Sequence, residues 1–141
     1  MDAQTKQAIM NSARDYLHSG WHCSEGILLA AGTYYFPNAL PGIIRIAAPF
    51  SGGVGGTKEE LCGAFTGGLM VIGALHGRSN AYENDDHCLD LTKRYRERFL
   101  AHFGSLRCKD LREDWVGKPG QPDCAELTAQ AAGILVGVLD E

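Results

Sequence analysis

Gly52–Gly68 reads GGVGGTKEELCGAFTGG, and whether this stretch is helix decides the fold. Glycine in a helix interior costs roughly 0.5–1 kcal/mol relative to alanine, so the glycines argue against one. Thr57-Lys58-Glu59-Glu60 argues for one. It has the form of a capping box, in which threonine accepts from the amide three residues on and the glutamate reaches back. Together they predict a turn over SGGVGG, then a helix from Thr57 to about His76 that stops at Gly77. Gly63, Gly67 and Gly68 leave a strip poor in side chains beside Cys62. Small residues one helical turn apart let another backbone or a bulky group come close. That suits tight helix packing, a second cysteine-bearing segment, or a cofactor seated at Gly63 and Gly67.

The flanking sequence is helical in pattern. Ile9, Met10, Ala13, Tyr16 and Leu17 recur at three- and four-residue spacing, which predicts an amphipathic helix over Gln7–Leu17. A second helix is expected from about Trp21 to Tyr35, stopped by Pro37. Leu40–Phe50 reads as a short helix or a strand, with helix preferred. A helix is expected over Asp85–Phe103, acidic first and basic later as the macrodipole favours, ending at Gly104. Its KRYRER run reads as a solvated face. Ser105 caps a short turn through Asp110, and EDWVGKPGQPD is loop. Asp123 and Glu126 resemble a capping box for a last helix over Cys124–Leu139. The expected fold is all-α, one compact bundle of five or six helices over residues 1–141.

A chain of 141 residues can bury a core without disulfide staples. Its net charge of −4 disfavours general nucleic-acid binding. The longest uncharged runs fall short of a membrane span, and the polar N-terminus has no secretory signal pattern. A cytoplasmic setting is expected. There the five cysteines are metal-binding, redox-active or buried rather than static staples.

Four of them, Cys23, Cys62, Cys108 and Cys124, follow expected helix starts. Unpaired amides and partial positive charge there favour thiolate, as do Lys58, Arg107 and Lys109 nearby. Cys88 sits among Asp85, Asp86 and Asp90 and shares a helical face with Leu91, Tyr95 and Phe99, so it reads as a core or surface thiol. No CxxC pair occurs, which leaves a thioredoxin-like motif and a zinc ribbon without support. His22, beside Cys23, reads as a cap or surface residue.

Cys62-Gly63-Ala64-Phe65-Thr66-Gly67 resembles the central motif of the C_GCAxxG_C_C family of small proteins assigned a redox role. The family name spells glycine before cysteine where this chain has CGAxxG. The flanks agree: Cys23 opens an apolar helix, a glycine-rich segment precedes the motif, and Cys108 and Cys124 follow. The resemblance spans roughly residues 15–137. It implies a helical domain with redox chemistry resting on four cysteines. A related domain in a multihaem cytochrome is thought to hold an iron–sulfur cluster, which extends the implication to a cluster site here. Cys88 is an addition to the four-cysteine pattern.

Three functions follow as expectations. The first is thiol–disulfide or electron-transfer chemistry at Cys23, Cys62, Cys108 and Cys124, with a redox partner protein. The second is a metal site in which those thiolates hold an iron–sulfur cluster, most simply [2Fe–2S]. The third is a non-catalytic helical interaction protein with core cysteines. The glycine-lined helix also suits a homodimer.

Overall fold

The computed structural model describes all residues, Met1–Glu141. It contains α1 (Ala3–His18), α2 (Cys23–Tyr35), α3 (Leu40–Ile43), a 3₁₀ segment (Ile44–Phe50), α4 (Gly63–His76), α5 (Asp86–Phe103), α6 (Cys108–Asp114) and α7 (Cys124–Leu139). The all-helical expectation holds. The count is seven rather than five or six because α3 and α6 are helices in their own right. Leu40–Phe50 is helical, as preferred, but tightens to 3₁₀ at Ile44. None of the helices is long and apolar enough to cross a membrane.

α7 is the central helix. Ten of its sixteen residues are buried, so it is apolar nearly all round. α1 and α2 pack on one side of it, and α4 and α5 on another. Asp123 caps α7, its carboxylate accepting from the Glu126 amide at 2.9 Å, as the sequence pattern predicts. α5 turns one apolar stripe inward, Leu91, Tyr95, Phe99 and Phe103. The rings of Tyr95, Phe99 and Phe103 join Phe65 of α4 and Trp115, just past α6, in a continuous aromatic row with centroids 4.5–5.8 Å apart. Each such buried side chain contributes about 1.5–3 kcal/mol.

α4 begins six residues later than the sequence predicts. Thr57 is no helix cap: its hydroxyl donates backwards to the carbonyls of Gly53 (2.9 Å) and Val54 (2.8 Å). The Glu60 amide likewise turns back to Gly53 O, at 3.1 Å. The preceding turn is the cause. Gly52 through Gly56 all take positive φ, from +55° to +72°. This left-handed turn consumes the hydrogen bonds that a right-handed capping box needs. The helix starts only at Gly63, with Cys62 as its N-cap.

The glycine strip on α4 is where α2 and α5 dock. A Cβ at Gly67 would stand 2.5 Å from both Ile27 Cγ2 and Ser24 O. A Cβ at Gly68 would run into the Tyr95 ring, whose hydroxyl donates to Ala64 O at 2.8 Å. The lost helix propensity is offset by this close burial, since eight residues of α4 are fully packed.

Candidate functional site: a four-cysteine chamber

Each of the four cysteines sits at a helix start. Cys23, Cys108 and Cys124 are the first residues of α2, α6 and α7, and Cys62 is the N-cap of α4. The helices bring these starts together. All four cysteines line one enclosed cavity of about 40 Å³, along with Gly52, Leu111, Arg112, Val116 and Leu127. Four helix N-termini therefore surround one small space, each contributing partial positive charge.

Two devices make the convergence. Segments 58–62 and 106–109 run antiparallel around a single bridge between Leu61 and Arg107. Cys62 N–H donates to Leu106 O at 2.7 Å, Cys108 N–H to Glu60 O at 3.0 Å, and Lys109 N–H to Lys58 O at 2.9 Å. Arg107 closes the clamp by donating to Glu59 O (2.9 Å) and to its carboxylate (2.7 Å). The second device is glycine. A Cβ at Gly63 would overlap Cys23 Sγ, so this position lets the α2 thiol reach the start of α4. Gly53, at φ +70°, is needed twice over: a Cβ there would stand 2.7 Å from Cys108 Cβ. Gly63 therefore borders the Cys23 sulfur, whereas the space beside Gly67 is filled by α2.

Cys62 and Cys108 are 6% exposed, while Cys23 and Cys124 are half-buried. Helix starts were expected to favour thiolate, yet burial wins. Desolvation pushes the Cys62 thiol far up, and the neighbouring Cys23 adds to the rise against the amides of Ala64 and Phe65. Burial also raises Cys108, with Cys23 adding to it while Arg112 and Lys58 oppose. Cys124 is raised by burial against the opposing Arg112 charge. Cys23 acts on all three. All five cysteines are free, and no three His, Cys, Asp or Glu side chains stand in the arrangement of a metal site. Cys88 packs against the core from α5 and does not line the chamber.

Arg112 is the residue that sequence reading misses. Its Nη1 lies 3.9 Å from Cys124 Sγ, and no carboxylate pairs with it. No local pattern marks it, because α6 was read as a turn ending at Asp110. Expected charges also fall elsewhere: Arg107 is spent on Glu59, and His22 is a helix cap whose amide donates to Glu25 Oε1 at 3.0 Å.

Residues 21–138 match the family model described as "Putative redox-active protein (C_GCAxxG_C_C)". The chain belongs to this family. No curated protein and no solved structure matches it.

Proposed function

We propose that the four cysteines work as one redox centre, and that the chain carries electrons with an iron–sulfur cluster held by Cys23, Cys62, Cys108 and Cys124. The observation that carries this is the meeting of four thiols, at four helix N-termini, in one cavity. The donor chemistry fits, since the lining offers four thiols and neither a carboxylate nor an imidazole. As placed, the sulfurs are not in a ligand arrangement, so loading requires the cysteines or the segments that carry them to rearrange. When bound, such a cluster supplies one-electron transfer.

The chain's own residues do the rest. Bringing four thiolates together in a small, partly buried chamber is costly, as the raised Cys62, Cys108 and Cys124 thiols show. The helix N-termini and Arg112 offset part of that negative charge. Leu111, Val116 and Leu127 form the apolar part of the chamber's lining.

A second reading rests on one contact. Cys23 Sγ lies against Gly63, beside Cys62, and Cys23 is the foremost charged neighbour of Cys62. In this reading, Cys23 and Cys62 form a disulfide by giving up two protons and two electrons to a disulfide of a partner protein, which is reduced to two thiols. The buried, raised Cys62 thiol makes this reading weaker, because the thiolate is the nucleophile.

The test is anaerobic reconstitution with ferrous iron and sulfide, followed by the visible spectrum. A sulfide-to-iron charge-transfer band that is lost in Cys62→Ser and retained in Cys88→Ser is the expected result. A colourless protein that instead forms a Cys23–Cys62 disulfide on oxidation would replace the first reading with the second. If neither is seen, both fail.

A further inference from the structure

A buried centre exchanges electrons through a neighbouring surface, and two surface recesses border this chamber: one of about 260 Å³ shares Cys23, Gly52, Arg112 and Cys124 with it and carries His18, His22 and Asp123, and the other gathers cations. Arg112 lines the chamber and also a surface groove of about 280 Å³, formed with Thr57, Lys58, Glu59, Lys109 and Glu113. The groove has no hydrophobic lining residue and is smaller than typical small-molecule pockets, which run to roughly 300–1,000 Å³ and are mostly apolar.

Its charges are unevenly spent. Glu59 is already paired with Arg107 at 2.7 Å. Lys58, Lys109 and Arg112 have no carboxylate within pairing distance, and only Glu113 opposes them in the groove. Three unpaired cations thus stand together on a chain of net charge −4.

The backbone holds them there at a cost. Lys58 takes φ +65°, a left-handed conformation that costs a non-glycine residue roughly 1–2 kcal/mol. Its carbonyl accepts from the Lys109 amide at 2.9 Å, which sets the two lysines side by side. The clamp that brings Cys62 to Cys108 therefore also builds the rim of the groove.

The geometry points to this groove as the docking surface for a redox partner that presents an acidic patch. The inference rests on the chamber being a redox centre. The field of the whole chain reinforces it. A chain of net charge −4 repels an acidic partner at long range, so a cationic patch selects orientation as well as affinity. The acidic side chains would arrive beside Arg112, the one residue shared with the chamber.

The first experiment needs no cluster. The reduced, metal-free, isotope-labelled chain is titrated with a short peptide of alternating aspartate and glutamate, and backbone amide shifts are followed by NMR. Shifts are expected at residues 57–59 and 109–113, fading as salt rises. The double variant Lys58→Glu, Lys109→Glu, with helix content checked by circular dichroism, should bind at least about fivefold more weakly. Shifts centred on another basic face, such as Arg94, Arg96 and Arg98, would overturn the proposal. So would displacement of the peptide by equimolar inorganic phosphate, which would mark a small-anion site.

The second experiment reads electron delivery from the reduced, loaded protein to two inorganic acceptors. The double variant should slow oxidation by anionic ferricyanide several-fold and leave cationic hexaammineruthenium(III) unslowed. Equal effects on both would overturn the groove as the exit. Peptide binding at the groove, with no electrons passing to either acceptor in wild type, would defeat the redox reading alone.

Discussion

Cys62 and Phe65 are three residues apart at the start of α4, yet they serve two regions built in opposite ways. Phe65 joins the aromatic row of Tyr95, Phe99, Phe103 and Trp115, where apolar area and ring stacking make burial favourable. Cys62 joins the chamber, where burial raises three thiols and crowds them against one another. The first region is held by what its side chains gain. The second is held by backbone clamps, missing side chains and the helices behind it. The difference teaches that this protein stabilises one end of its core and spends part of that stability at the other.

The largest expected effect tests the stabilising side. Phe99→Ala, at a fully buried position, should cost about 3–5 kcal/mol in chemical denaturation. A loss under about 1 kcal/mol would mean that the aromatic row is not what carries the fold.

Next come the glycines at the seam between the regions. Gly67→Ala and Gly63→Ala should each cost about 1–3 kcal/mol, because each added methyl meets α2. They should differ in readout. Gly63→Ala pushes on Cys23 and should also abolish loading, whereas Gly67→Ala should lose stability while its refolded fraction still loads. Equal spectra from the two would break the distinction between packing glycine and site glycine.

The thiols themselves predict a pH dependence. Cys62, Cys108 and Cys124 have folded pKa values raised above the unfolded value of about 8.5. The folded chain holds those protons more tightly. Their contribution is therefore full below about pH 8.5 and lost as pH climbs, by at most about 1.4 kcal/mol per unit per thiol. Denaturation of the metal-free protein between neutral and alkaline pH checks this. Stability that rises with alkalinity would contradict the burial of these groups. Metal loading, which needs deprotonated sulfur, should strengthen over the same range.

The smallest effect is a control at the far end of α4. A Cβ at Gly73 would meet nothing within 4 Å, so Gly73→Ala should gain up to about 1 kcal/mol from helix propensity. A loss there would show that the glycines of α4 matter for more than close approach.

Much of the fold was legible. Three-and-four spacing marked α1, punctuation by Pro37 and Gly104 ended α2 and α5, and the Asp123 cap opened α7, all of them local signals. The start of α4 was not legible, because Thr57–Glu60 carries the letters of a capping box while a left-handed turn takes its hydrogen bonds. The four cysteines were named as a set, since lying near a helix start is also local. Arg112 was not, because nothing near it in sequence points to sulfur.

The sequence alone determined most of the helical segments and that Cys23 and Cys124 stand where two of them begin. Both follow from interactions within a few residues, so a one-dimensional pattern contains them. Only the tertiary structure decided that Cys23, Cys62, Cys108 and Cys124 share a chamber, and that Arg112 joins it to a cationic groove. A helix start locates its residue, but the direction of its axis is set by packing against distant helices. Here that packing depends on the missing Cβ atoms of Gly63 and Gly53 and on a bridge between Leu61 and Arg107.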